Sequence, residues 1–172
     1  GLRWVRDRIM GVMRFLVRPV ELLADWPEKH RAYLSGMDQF VWPTRVETDG
    51  EYLVLRRTTS DSAKLNIPWL VPGFGEQLVT TSSLPEREQP YLLPLELARG
   101  KIVQVRNQAA AWQQLGMTLT SDYLEAIRSA FHLFARAASS QDNVDEAAAL
   151  GLQALSGAFR AAERLSRSYT SQ

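Results

Sequence analysis

Apolar residues in the second half of the chain recur at alternating steps of three and four, the spacing that places side chains on one side of an α-helix. Pro94 suits the first turn of the first such helix, and Gly116 suits its C-terminal cap. The segment therefore predicts a helix that separates a strand-forming first half from a helical second half. Its apolar stripe consists of Leu95, Ala98, Ile102, Val105, Ala109 and Trp112.

Two further helices are predicted after Gly116. Thr120-Ser121-Asp122 followed by Glu125 is typical of a helix N-terminus, and so is Asn143 followed by Glu146. The stripe of the second helix is predicted to be Leu124, Ile127, Phe131, Phe134 and Ala138. The stripe of the third is predicted to be Ala148, Gly151, Leu155, Ala158, Ala162, Leu165 and Tyr169.

Small residues on the third stripe allow a neighbouring helix to approach closely. Because the connections between the helices are short, we predict a three-helix antiparallel bundle within one chain. The same periodicity is compatible with a coiled-coil homodimer through the helices, which stays the alternative.

The first half of the chain shows short strand patterns separated by Gly and Pro. Residues 12–17 predict a strand that Pro19 stops, and residues 44–57 predict a β-hairpin around Asp49-Gly50. Further candidate strands cover 31–34, 63–69 and 77–82, and the last two are separated by the predicted loop Pro72-Gly73-Phe74-Gly75.

Together these patterns predict an α+β fold: an N-terminal antiparallel β-sheet or sandwich followed by a three-helix antiparallel bundle packed on it. We place the β-rich part at residues 1–90 and the helical part at residues 91–172, as parts of one compact module.

Charge and composition exclude some partners. The chain has 20 Lys and Arg against 19 Asp and Glu, a balance that argues against a general nucleic-acid binder. No apolar run approaches the roughly 20 residues that span a bilayer, so no membrane partner is expected.

Charges are scattered through Gly1–Met10, which makes a poor signal peptide and favours a cytoplasmic location. Met10 is a plausible native start, and the natural chain is expected to continue beyond Gln172.

Residues for metal or covalent chemistry are sparse. The chain has no Cys, and its two histidines, His30 and His132, do not form a pair at ligand spacing. It contains neither a phosphate-binding Gly loop nor a G-x-S-x-G elbow. We therefore predict no metal, no cofactor and no catalytic residue, and we interpret the paired carboxylates as solvated charges. Those pairs are Glu47 with Glu51, and Glu86 with Glu88.

Aromatic residues in the β-rich half are the candidate binding residues. Trp42 precedes the hairpin, Trp69 lies between Pro68 and Leu70, and Phe74 follows in the loop. Aromatic faces on a β scaffold can stack on the apolar faces of sugar rings. Equally, large aromatic residues often fill small cores, so Trp42 and Trp69 could be core or sheet-to-helix contacts. Trp26 and Trp112 are expected in the core.

Four short stretches carry a resemblance to a known family. They are RFLVRP at 14–19, LLADWP at 22–27, WLVPGFG at 69–75 and YLLPLELARGK at 91–101. Together they resemble the N-terminal region of bacterial proteins whose downstream half is similar to glycoside hydrolase family 10, the xylanase family. The resemblance covers nearly everything from Met10 onward.

The resemblance implies an accessory module that precedes a (β/α)₈ barrel carrying the family's two catalytic glutamates. No position in this chain matches the motifs of those glutamates. The implied partners are a polysaccharide such as xylan, or the downstream catalytic domain. The family's usual accessory modules lack a long C-terminal helical bundle, and in this respect the chain departs from them.

Two hypotheses of function follow. The first is a non-catalytic accessory module of a xylanase-like glycoside hydrolase that binds carbohydrate through Trp42, Trp69 and Phe74. The second is a structural or oligomerisation module whose helices pack on a partner or on the missing catalytic domain. Aromatic residues exposed on one sheet face would favour the first. Buried tryptophans with apolar surface on the helices would favour the second.

Overall fold

The structure is a computed structural model and describes residues 11–36, 41–42, 44–57 and 61–170. The strands are β1 (Gly11–Leu16), β2 (Tyr33–Ser35), β3 (Val41–Trp42), β4 (Arg45–Asp49), β5 (Tyr52–Arg57), β6 (Lys64–Val71), β7 (Gly75–Thr80) and β8 (Tyr91–Leu92). The α-helices are α1 (Leu93–Gln114), α2 (Ser121–Ala138) and α3 (Val144–Thr170), and 3₁₀ helices cover Val20–Leu23 and Pro27–Arg31. The predicted α+β class is confirmed. Residues 1–10, on which the signal-peptide prediction rests, lie outside the described ranges.

The strands form two four-stranded sheets, in the orders β4-β5-β1-β8 and β3-β2-β6-β7. Strand β5 pairs antiparallel with both β1 and β4, and β2 pairs antiparallel with β3 and β6. The short strand β8 runs parallel to β1, with Phe15 opposite Tyr91. The β-structure is therefore mostly antiparallel, as predicted.

Local turn chemistry explains the hairpin of β4 and β5. Asp49 pairs with Tyr52, so the two-residue loop consists of Gly50 and Glu51 rather than being centred on Asp49-Gly50. Gly50 has φ +60°, a conformation that glycine adopts without steric cost.

A buried polar network links β2, β6 and β7. The Asn66 side-chain amide donates to Ser35 Oγ at 2.9 Å, and Thr80 Oγ1 donates to Asn66 Oδ1 at 2.8 Å. Thr81 Oγ1 accepts a hydrogen bond from the Leu65 amide at 2.9 Å. Because a shifted register would leave these buried groups without partners, the network helps to fix the strand alignment.

Two compact units divide the chain. The first contains the described residues up to Trp69 together with Leu78–Leu93, and the second contains Leu70–Gln77 with the described residues from Pro94 onward. The turn between β6 and β7 thus groups with the helices. The core of the first unit contains side chains that are at most 1% exposed: Met13, Phe15, Leu53, Leu55, Leu65 and Ile67.

Contacts among the helices of the second unit define their directions. Ile102 of α1 packs with Ala130 and Ala158, whereas Val105 and Ala109, further along α1, pack with earlier residues of α2 and later residues of α3. Consequently α2 runs antiparallel to α1 and α3, and the helices form the predicted antiparallel bundle.

The helix ends follow the predicted capping signals. Gly116 has φ +95°, and the amide of Met117 donates to the Trp112 carbonyl at 3.1 Å, the pattern of a Schellman C-cap. Thr120 caps α2 by accepting from the Tyr123 amide at 3.2 Å.

The predicted apolar stripe of α2 is not its buried face. Leu124 and Phe131 are 40% and 47% exposed, and Ile127 and Phe134 are only partly buried. The buried residues of α2 are instead Tyr123, Ala126, Ala130 and Ala137. The reason is steric, because a Cβ placed on Gly157 of α3 would lie 3.2 Å from Ala130 Cβ. At this separation only small side chains fit between α2 and α3, and the larger ones lie elsewhere around the helix.

Candidate functional site

Trp69, a candidate for sugar stacking, lies in the core of the first unit. It is 3% exposed, and its ring contacts Trp26 edge to face with centroids 5.3 Å apart. A tryptophan buried to this extent offers no free face to a sugar ring. For Trp69 the core interpretation therefore holds, and Trp26 is in the core as predicted.

The other two candidates differ from Trp69. Phe74 is half-buried in the turn between β6 and β7, and its ring centroid lies 5.7 Å from that of Phe159 in α3. The backbone of Trp42 pairs with Leu34, but the Trp42 side chain lies outside the described part of the structure. Phe74 thus contributes to packing against α3, and the role predicted for Trp42 stays a prediction.

The carboxylates of the β4–β5 hairpin form ion pairs on the surface. Glu47 lies between Arg45 and Arg56, with nitrogen-to-oxygen distances of 2.9 and 3.1 Å. Glu51 pairs with Arg18 at 2.9 Å. These ion pairs give the hairpin acids a structural role rather than the geometry of an acid and base pair.

Glu86 also has a structural environment. Its Oε1 accepts a hydrogen bond from the Val12 amide at 3.1 Å, and its charge acts on the buried guanidinium of Arg57. Burial lowers the pKa of Arg57, while the charges of Glu86 and Asp61 oppose that shift. Glu86 therefore acts as a counter-ion for a buried arginine.

Metal-binding clusters and membrane-spanning helices are both absent from the described ranges. There, no three His, Cys, Asp or Glu side chains converge as a metal site would require. His30 and His132 are both exposed. None of the described helices combines the length and apolar character needed to cross a bilayer.

The helical unit carries an apolar groove between α1 and α2, here called the α1–α2 groove, with a volume of about 500 Å³. It is lined by Arg106, Ala109, Ala110, Gln113, Leu119, Tyr123, Leu124, Ile127, Arg128 and Phe131.

The two walls of the groove share one spacing. Four residues of α1 line it at positions i, i+3, i+4 and i+7, and four residues of α2 do the same. On α1 they are Arg106, Ala109, Ala110 and Gln113; on α2 they are Leu124, Ile127, Arg128 and Phe131. Because each set occupies one helix face, the groove runs along both helix axes.

Side-chain size shapes the cross-section of the groove. The α1 wall is low because Ala109 and Ala110 carry only methyl groups, whereas Leu124 and Phe131 rise from the α2 wall and remain partly exposed. Tyr123 is 2% exposed, and burial raises the pKa of its phenol, although the positive charge of Arg106 opposes this shift.

Two arginine side chains of α1 lie against phenylalanine rings of α2. The Arg106 guanidinium is 5.7 Å from the centre of the Phe131 ring, and that of Arg99 is 4.8 Å from the Phe134 ring. Arg99 Nε also contacts Glu96 Oε2 at 3.1 Å. Such cation–π contacts hold the guanidinium groups beside the aromatic rings.

Sequence reasoning missed this groove because it assigned the large apolar residues of α2 to the bundle interior. One signal was present: Tyr123, Ala126, Ala130 and Ala137 repeat at helical spacing and form a second, smaller-residue stripe on α2. A helix with two apolar stripes can bury one of them against its neighbours in the bundle, and the other then lies on the surface.

A scan against protein-family models, a search of curated proteins and a search of solved structures each found no match to this chain.

Proposed function

We propose that this chain is a non-catalytic interaction module that binds a helix of a partner polypeptide in the α1–α2 groove. One observation carries the proposal. Helix α2 buries alanines against its neighbours while Leu124 and Phe131, among its largest apolar side chains, remain 40% and 47% exposed.

The apolar residues of the groove are contiguous, unlike the single apolar residues scattered over an ordinary protein surface. Leu119, Leu124, Ile127 and Phe131 all line one groove. Single exposed apolar residues are common on soluble proteins, whereas contiguous apolar patches mark interaction sites. Completing the burial of a large apolar side chain contributes up to about 1.5–3 kcal/mol, so several such residues can support specific binding.

The shape of the groove fits a helix better than an extended strand. Both walls present side chains at i, i+3, i+4 and i+7, the pattern into which an amphipathic helix packs its own apolar stripe. Within α2 the lined stretch from Tyr123 to Phe131 is about 12 Å long at 1.5 Å per residue, which matches roughly two turns of a helix.

This proposal develops the structural alternative drawn from the sequence. The carbohydrate hypothesis has lost Trp69 as a stacking residue, because that side chain is 3% exposed. The resemblance to the N-terminal region of family 10 proteins is compatible with either function. Under it, the partner helix would belong to the downstream catalytic domain or to a companion protein.

The experiment uses a neutral synthetic helix of about 18 residues, with Leu at i, i+3, i+4 and i+7 and Gln at the polar positions. It is titrated into the ¹⁵N-labelled protein, and amide chemical shifts are followed. We expect the shifts to change along both groove walls, at residues 106–113 and 119–131. We also expect Phe131→Gln combined with Leu124→Gln to weaken binding by roughly tenfold or more.

Val103→Gln is the matched control, because Val103 is an exposed apolar residue of α1 (43% exposed) that does not line the groove. Unchanged groove resonances, or equal binding by the Phe131→Gln Leu124→Gln variant, would refute the proposal. Retention of the wild-type protein on insoluble xylan, lost in Trp42→Ala, would support carbohydrate binding instead.

A further inference from the structure

The charged side chains that line the α1–α2 groove have one sign. Arg106 lies on the α1 wall and Arg128 on the α2 wall, and none of the described residues that line the groove carries a carboxylate. We infer that the partner helix is acidic, with carboxylates on both sides of its apolar stripe. This inference rests on the proposed function.

The position of each arginine suits this role. Both side chains are exposed, so a carboxylate can reach them without displacing core residues. Arg106 lies beside the Phe131 ring, with its guanidinium carbon 5.7 Å from the ring centre. A planar guanidinium in this position can contact the ring and still donate hydrogen bonds to a carboxylate.

Two acidic residues of α1 and α2 that do not line the groove have basic partners of their own. Asp122 contacts Arg164 at 3.4 Å, and Glu96 contacts Arg99 at 3.1 Å. Neither of these two carboxylates pairs with Arg106 or Arg128.

A second copy of this chain would suit the groove less well. A twofold contact places the same patch of each copy against the other, so it would bring the two arginines of one copy close to those of its mate. Like charges facing each other across an interface oppose association. An acidic helix meets the same arginines with opposite charge.

The test compares three helical peptides that share the Leu stripe and carry Glu, Gln or Lys at the polar positions. Affinities are measured by fluorescence anisotropy at about 50 mM and about 500 mM NaCl, and peptide helicity is checked by circular dichroism. We expect the Glu peptide to bind roughly tenfold or more tightly than the Lys peptide. High salt should reduce the advantage of Glu over Gln, because exposed charges are screened.

Two variant proteins test whether Arg106 and Arg128 cause the preference for the Glu peptide. Arg106→Gln combined with Arg128→Gln should abolish the advantage of the Glu peptide over the Gln peptide. Arg160→Gln, which removes an exposed arginine of α3 outside the groove, should leave all three affinities unchanged.

The outcomes are distinguishable. Equal binding of the Glu and Gln peptides, or preference for Lys, would overturn the acidic partner while leaving the proposed function standing. Failure of all three peptides to bind would overturn both. Concentration-dependent dimerisation of the wild-type protein that Phe131→Gln abolishes would assign the groove to a second copy and overturn the inference.

Discussion

Gly151 of α3 lies against the backbone of Pro94 at the start of α1. A Cβ placed on Gly151 would be 3.1 Å from the Pro94 carbonyl carbon and 3.2 Å from the Leu95 nitrogen. These neighbours are backbone atoms, which cannot rotate away as the end of a side chain can. The absence of a side chain at position 151 therefore allows α1 and α3 to approach closely at their N-terminal ends.

Gly151→Ala should destabilise the protein despite the better helix propensity of alanine. Propensity alone would add about 1 kcal/mol to the free energy of unfolding, whereas overpacking against fixed atoms costs about 1–3 kcal/mol. We expect a net loss of about 1 kcal/mol in urea unfolding followed by circular dichroism.

Gly157→Ala is the comparison, because its Cβ would approach only one atom, Ala130 Cβ, as closely as 3.2 Å, whereas a Cβ at position 151 would meet three backbone atoms at 3.1–3.2 Å. Its loss should be smaller than that of Gly151→Ala. A Gly151→Ala protein as stable as wild type would show that α1 and α3 are not held at this distance.

Mutations on the two faces of α2 should change the free energy of unfolding by different amounts. Ala130 is fully buried and Phe131 is 47% exposed, although they are adjacent in sequence. Ala130→Leu should lower the free energy of unfolding by about 1–3 kcal/mol through overpacking, and Phe131→Gln should change it by only about 0.5 kcal/mol. Urea unfolding of both variants checks the order. The reverse order would mean that the large apolar stripe faces the bundle interior.

Trp69 should contribute to stability through its contact with Trp26. Trp69→Ala should cost about 3–5 kcal/mol, and a double-mutant cycle with Trp26 should show coupling of about 0.5–1.5 kcal/mol from the edge-to-face contact. Leu70→Ala should have almost no effect, because Leu70 is 71% exposed. Unchanged stability of Trp69→Ala together with lost binding to xylo-oligosaccharides would instead restore Trp69 as a ligand contact.

Lys101 should make stability depend on pH in the alkaline range. Burial lowers the pKa of its ammonium group from the usual 10.5, although Nζ donates to Gln104 Oε1 at 3.1 Å and lies 4.3 Å from the centre of the Phe159 ring. Between the folded-state pKa and 10.5, the unfolded chain binds more protons than the folded one, so the free energy of unfolding rises with pH.

Lys101→Met removes this contribution. The free energy of unfolding of wild type relative to Lys101→Met should therefore increase as pH rises toward 10.5, as measured by urea unfolding at several pH values. Parallel pH profiles for the two proteins would indicate that Lys101 titrates alike in the folded and unfolded states.

Local chemistry in the sequence determined most of the secondary structure. The Schellman cap at Gly116, the Thr120 cap and the hairpin loop at Gly50 each depend on residues within a few positions of one another, so a short stretch of sequence suffices to predict them. The stripe of α1 from Leu95 to Ala109 was also predictable, because its helical periodicity coincides with a buried face of that helix.

Tertiary structure determined which of several apolar residues are buried, a choice that the periodicity of the sequence does not specify. Helix α2 has two apolar faces, and the close approach of Gly157 to Ala130 selects the small one for the interior. The same selection places Leu124 and Phe131 on the surface and creates the α1–α2 groove. Likewise, the burial of Trp69 depends on Trp26, which lies 43 residues earlier in the chain. Such choices depend on the space between elements distant in sequence, which no local pattern specifies.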